Sequence, residues 1–174
     1  MGHAIPDVPA LQTVRDCVAG PNLLRMAIRE ANESDLRALM PLLRGYCDFY
    51  DANPSDEELE RMVRALIAAP EQDAFLLVAC DGDSGEVVGF AACGWKWSSL
   101  RAARIVVLED LFVAEHARGR GHAETLIEAT ARIARRHGAP AVTWLTAPDN
   151  RRAQAVYDRV GGRAQAFLEY ELEL

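Results

Sequence analysis

The stretch that most limits how this chain can fold runs from Arg104 to Gly138. "RIVVLEDLFV" (residues 104–113) is dense in apolar and β-branched side chains and reads as a strand. "HAETLIEATARIARRHG" (residues 122–138) repeats apolar positions every three or four residues and reads as a helix. Between them, "ARGRGHAETL" sets Gly119 and Gly121 among Arg118, Arg120 and His122. A strand that passes through glycines straight into a long amphipathic helix requires a sheet with helices packed on it. The same junction suits an anion. The first N–H groups of a helix have no intrahelical acceptor, and the macrodipole adds about half a positive charge there. Glycines let a phosphate approach the main chain, and arginine can contact phosphate oxygens in pairs.

The phosphate ligand is not a nucleoside triphosphate held by a Walker loop, since no Gly-Lys-Ser/Thr follows. A dinucleotide is a poor match as well. Glu124 stands where the third glycine of that fingerprint belongs, and no acidic residue ends a strand about twenty residues on. On local grounds alone, a plain turn with solvated arginines remains open.

The other segments alternate in the same way. "LLRMAIREA" is a strand, and "NESDLRALMPLLRGYCDFYD" is a helix capped by Asn32 or Ser34, with Pro41 delaying or kinking it. "PSDEELERMVRALIAAP" is a second helix with a Ser55–Glu58 capping box. "AFLLVAC" and "VVGFAACGWKW" form a hairpin around "DGDSGE". "AVTWLTA" is a strand after the long helix. "DNRRAQAVYDRVGG" is a helix capped by Asp149 or Asn150, and "RAQAFLEYELEL" closes the chain as one or two strands. The order β α α β β β α β α β predicts one mixed α/β domain over residues 23–174. Residues 1–22, with three prolines, read as an N-terminal extension.

A net charge of −7 argues against general nucleic-acid or anionic-membrane binding, and no apolar run approaches the length of a membrane span. Cys17, Cys47, Cys80 and Cys93 are scattered, which fits neither a zinc site nor a disulfide framework and points to a reducing, cytoplasmic setting. No metal site is expected. His116 and His122 have no partner at metal-ligand spacing.

Arg118-x-x-Gly121-x-Ala123, preceded by "LEDLFVAEHA", resembles the acetyl-CoA signature of the GNAT superfamily of N-acetyltransferases. Asn150, Ala153, Tyr157 and Gly161 resemble the family's next motif at the expected distance. The resemblance implies a GNAT-like, mostly antiparallel sheet flanked by helices and acetyl-CoA as cosubstrate, without a metal. It also implies transfer to an amine without a covalent acyl-enzyme, and often a homodimer. By this resemblance, main chain at Phe112 and Val113 holds the pantetheine arm. Arg118, Gly119, Arg120, Gly121, His122 and Ala123 hold the pyrophosphate, and Asn150 contacts the coenzyme, though a plain N-cap would also account for Asn150.

The same resemblance makes Tyr157 the acid that protonates the leaving thiolate; otherwise it is an aromatic on an apolar helix face. The dipeptide Glu109-Asp110 resembles the polyamine- and amino-acid-acetylating branch. Strand alternation alone places these two acids on opposite, buried faces, where a carboxylate is costly unless paired or used. Glu109 is the expected base, with Asp110 structural or orienting the amine. Tyr46, Asp48 and Tyr50, together with Trp95 and Trp97, supply aromatic faces and charge suited to an ammonium ion. The expected acceptor is a small primary amine. A protein amine, or a CoA-binding sensor without transfer, are the alternatives.

Overall fold

The computed structural model describes residues 26–71 and 73–172. The N-terminal extension expected at residues 1–22 lies outside them. Strand β1 (Met26–Glu30) leads through a 3-10 turn into helix α1 (Leu36–Phe49), and α2 (Asp56–Ala68) follows. Three long strands come next, β2 (Ala74–Asp81), β3 (Val87–Ser98) and β4 (Ala103–Val113). They are followed by α3 (His122–Arg136), the two-residue β5 (Val142–Thr143) and α4 (Arg151–Arg159). The strands lie in sequence order; β1 to β4 are antiparallel and β5 joins β4 in parallel.

Local chemistry sets most of these boundaries. Asn32 caps the 3-10 turn through a reciprocal box with Asp35, whose buried carboxylate also takes two 2.6 Å bonds from Arg29. That guanidinium, ahead of the opposing cost of burial, holds Asp35 below the usual carboxylate range. Ser55 and Glu58 form the box read from the sequence. Pro41 sits inside α1 without ending it. Its ring lacks the N–H that would have bonded to the carbonyl of Arg37, an exposed residue.

Side-chain alternation along β2 divides the core in two. Leu76, Val78 and Cys80 pack with Phe90 against α1 and α2. Phe75, Leu77 and Ala79 pack with Cys93, Val106 and Leu108 against α3. Ile133 of α3 is 5% exposed within the second layer. Ile133→Val should therefore cost about 0.5–1.5 kcal/mol in a denaturant titration. No helix among the described residues is long and apolar enough to cross a membrane.

The end of the chain departs from the expected pattern. Only Val142 and Thr143 of "AVTWLTA" pair as a strand, and residues 163–172 form none. A strand needs a neighbour to take up its backbone groups, and this segment pairs with none among the described residues.

Candidate active site

Strand β4 carries a defect that local alternation does not foresee. Ala92 of β3 pairs with Asp110, but the next residue, Cys93, pairs with Leu108. Glu109 is therefore the extra residue of a β-bulge, and the alternation slips by one there. Leu108 points into the α3 layer. Asp110 turns instead toward Tyr46 of α1. Glu109 Oε1 comes 3.9 Å from the place a Cβ on Gly94 would occupy, on the same side of the sheet. The expectation of opposite, buried faces is thus corrected. Both acids lie on the α1 side; Glu109 is exposed and Asp110 half-buried.

The bulge lies where the sheet opens. β5 meets β4 only at Val106 and Val107. From Leu108 to Val113, β4 has β3 along one edge and, among the described residues, no strand along the other. Unpaired strand edges present N–H and C=O groups to any extended ligand.

At the upper end of that edge is the glycine turn. Gly119 and Gly121 take φ of +79° and +90°, in the left-handed region that glycine enters without penalty. Gly121 is the N-cap of α3 and, having no side chain, leaves the first-turn N–H groups uncapped. Arg118 folds back over the end of the strand. Its Nε donates to the Val113 carbonyl at 2.9 Å, and its guanidinium lies 5.5 Å from the Phe112 ring centroid. Arg120 is mostly exposed and pairs with Asp81 at 3.2 Å. The His122 side chain points inward, 2% exposed and with both ring nitrogens unpartnered. Burial holds its pKa down, with Asp81 opposing and Arg120 adding to the effect, so the ring is neutral. Only the His122 main chain faces the turn.

Near the bulge, residues from three elements converge. Tyr46 of α1 lies within electrostatic reach of Asp110 of β4, of Tyr50 just past the end of α1 and of Tyr157 of α4, and Tyr157 within reach of Tyr50. Burial raises the Asp110 carboxyl above its ordinary value, and the Tyr46 hydroxyl bonding to it pulls the other way. Burial also raises the Tyr46 and Tyr157 phenols, with the Thr146 hydroxyl partly offsetting it at Tyr157. Both tyrosines are therefore protonated at neutral pH and able to donate. The Tyr157 ring rests on Trp144, centroids 5.4 Å apart. Asn150 caps α4 through its Oδ1, which accepts from Ala153 N at 3.1 Å.

Not every expected acceptor residue joins this cluster. Asp48 is exposed. Trp95 belongs to the opposite, α3 face, packed on Phe75 and His137, with its Nε1 donating to the Glu71 carbonyl. Trp97 is 77% exposed, farther down β3. Residue reading missed Trp144 and Thr146, which carry no local signal. It also missed Gly45, where a Cβ would stand 2.8 Å from Phe112 Cζ.

The Acetyltransferase (GNAT) family pattern matches residues 36–162 of the 174, which takes in the whole of this site. The chain belongs to the GNAT acetyltransferase family. It is thus an acetyl-CoA-dependent acyltransferase. It is 33% identical over 150 residues to the uncharacterized N-acetyltransferase YhfO of Bacillus subtilis strain 168, covering 86% of this chain and 98% of that one. Over 91 residues it is 35% identical to the D-amino-acid N-acetyltransferase HPA3 of Saccharomyces cerevisiae, 52% of this chain and 56% of that protein. The crystal structure of a probable acetyltransferase superposes with a TM-score of 0.74 at 28% identity, covering 85% of this chain and 97% of that one. A GNAT acetyltransferase with a mostly antiparallel sheet flanked by helices is what the two motifs implied.

Proposed function

We propose that this GNAT enzyme transfers acetyl from acetyl-CoA to the primary amine of a small molecule, by direct attack in a ternary complex. The observation that carries this reading is the alignment of three features along one open strand edge: the glycine turn, the unpaired Leu108–Val113 edge, and the Asp110–Tyr46–Tyr157 cluster. They fit a long ligand with an anionic end and an extended, amide-bearing arm. The uncapped N–H groups between Gly119 and Ala123 receive the pyrophosphate, and main chain at Phe112 and Val113 pairs with the arm. The remaining amide of Asn150 contacts the coenzyme. Acetyl-CoA supplies the acetyl group as a thioester.

The chain's own groups then move two protons. An alkyl amine with a pKa near ~10.4 arrives charged and must lose one. Asp110 and Glu109, brought to one face by the bulge, receive and orient that ammonium, and one of them takes its proton directly or through water. Tyr157 donates the second proton to the departing sulfur. Nothing among the described cysteines suits an acyl carrier: burial pushes the Cys93 thiol up to about 12. That supports direct transfer.

The acceptor is a small amine or amino acid; the acids and the Tyr46 and Tyr50 rings suit an ammonium, and the similar yeast protein is a D-amino-acid N-acetyltransferase. The test is thiol release from acetyl-CoA across polyamines, D- and L-amino acids and aminoglycosides, with melting curves alongside. Acetyl-CoA at 100 times its Kd should add about 2.7 kcal/mol of stability. Stabilisation together with amine-dependent CoA release is expected. Stabilisation without release from any of these amines would favour a protein acceptor or a CoA-binding module instead.

The base can be assigned from pH profiles. A base works deprotonated, so kcat/KM should rise with pH through its pKa. Glu109→Gln removes that limb if Glu109 is the base, and Asp110→Asn removes it if Asp110 is. The raised carboxyl of Asp110 puts its limb at higher pH than an ordinary carboxylate would show. Wild-type rate and profile in both variants would exclude the pair.

A further inference from the structure

We infer that His122 is the proton acceptor of a charge relay with Asp81 and Arg120, so that the glycine turn takes up one proton from solvent when it binds the coenzyme pyrophosphate. The inference rests on the reading of that turn as the pyrophosphate site. Its starting point is a polar side chain that does nothing for the fold. His122 is the first residue of α3, it is 2% exposed, and neither ring nitrogen has a partner. A buried imidazole that neither donates nor accepts forfeits the hydrogen bonds it had in water, and an apolar residue would fill the same space without that loss.

The charged groups that bear on the ring are Asp81, at the end of β2, and Arg120, in the turn itself. Asp81 is fixed from one side: its Oδ1 accepts from the backbone N–H groups of Asp83 and Ser84 at 3.0 and 3.2 Å. Arg120, mostly exposed, reaches its Oδ2 at 3.2 Å. The next ionisable groups along the chain are engaged elsewhere. Glu124 accepts from Arg159 of α4 at 3.1 Å, and exposed His116 lies 3.7 Å from Glu86. From β1 comes Met26, whose Cε lies 3.5 Å from the place a Cβ on Gly121 would occupy.

In the free turn three influences keep the ring neutral. It is buried, it stands at the positive end of the α3 dipole, and Arg120 repels a second cation. Asp81 opposes them, but its charge is shared with Arg120. Two of the three reverse when an anion sits on the turn. The end of α3 is then neutralised, and Arg120, on a long exposed stem, exchanges Asp81 for a phosphate oxygen. Asp81 does not follow, because the turn after β2 holds it. Its freed charge favours the imidazolium, and His122 takes a proton from solvent at its unprotonated ring nitrogen. Only that N–H bond forms, and the proton returns to solvent when the coenzyme leaves. By linkage, coenzyme affinity rises as pH falls, by at most about tenfold per pH unit, between the depressed His122 pKa of the free chain and its higher value in the complex.

The test follows the imidazole resonances of the full chain by NMR from about pH 5 to 8, with and without saturating CoA. His122→Gln identifies the resonance by its loss. His122 should titrate below the ordinary value of about 6.5 in the free chain, and its proton affinity should rise about tenfold or more when CoA binds. Arg120→Gln, at an exposed position, should raise the free value by itself and so shrink the change. Asp81→Asn, which keeps an acceptor for the N–H groups of Asp83 and Ser84, should shrink it by lowering the value in the complex. Calorimetry in buffers of different ionisation enthalpy should show wild type taking up close to one proton more than His122→Gln. That subtraction removes the coenzyme's own phosphate monoester, which titrates near about pH 6. A His122 that stays neutral with CoA bound, one that titrates alike in the free and bound chain, or a response untouched by Arg120→Gln and Asp81→Asn would overturn the relay. The backbone amides of Gly119 to Ala123 separate the two levels of failure. Amides that move with CoA beside an unresponsive His122 reject the relay alone, whereas amides that do not move reject the pyrophosphate site and the relay together.

Discussion

Tyr157→Phe is expected to lower kcat about a hundredfold, and at least tenfold, while leaving the Kd for acetyl-CoA near the wild-type value. The substitution removes one hydroxyl and keeps the ring that packs on Trp144, so the fold and the glycine turn have no reason to change. On the proposed mechanism, what it removes is the proton donor to the departing thiolate. Well-placed general acids contribute about 10²–10⁴ in rate. Burial keeps the Tyr157 phenol above its ordinary pKa, so it stays protonated across the neutral range and loses its donor role only in strong alkali. The check is steady-state kinetics with the best amine of the panel, paired with a binding titration of acetyl-CoA. Unchanged turnover would remove Tyr157 from the mechanism; a parallel loss of affinity would reassign it to packing.

Gly121→Val is expected to have the converse signature, raising the Kd of acetyl-CoA at least tenfold and lowering stability by about 1–3 kcal/mol. Crowding is not the cause. A Cβ at Gly121 would meet only the flexible end of Met26, at 3.5 Å. The cost lies in the backbone: φ is +90°, a conformation a β-branched residue resists. Either the chain pays that strain or the turn relaxes, and a relaxed turn no longer aims the first-turn N–H groups of α3 at a phosphate. Isothermal titration and thermal melting separate the two effects. Normal affinity in a destabilised variant would mean that the turn does not hold the pyrophosphate.

The comparison of Glu109 with Asp110 shows where residue-level reading stops. From the strand pattern alone, adjacent acids belong on opposite faces. The bulge that puts them on one face is a property of the register between β3 and β4, not of the dipeptide. Trp95 and Tyr46 diverge for a similar reason. Both are aromatic and half-buried, yet they lie on opposite faces of the sheet, because Trp95 alternates into the α3 layer and Tyr46 lies on α1. Asp48, only two residues from Tyr46, is turned to solvent by the helical period.

Much else was legible because it is local. The capping residues Asn32, Ser55 and Asn150, the helix α3 after two glycines and the hairpin around Asp81–Glu86 depend on backbone preferences and short-range hydrogen bonds. Such interactions act within a few residues. The spacing of Arg118, Gly121, Ala123, Asn150 and Tyr157 is equally a sequence property, and by itself it determined the family and the layered α/β fold. The tertiary structure alone decided which side chains face one another: two acids on one side of a bulge, tyrosines from α1 and α4 drawn together beside Asp110, and an end segment, residues 163–172, that pairs with no strand among the described residues. These depend on strand register and helix placement, which arise from the packing of the whole core, and no window of neighbouring residues contains them.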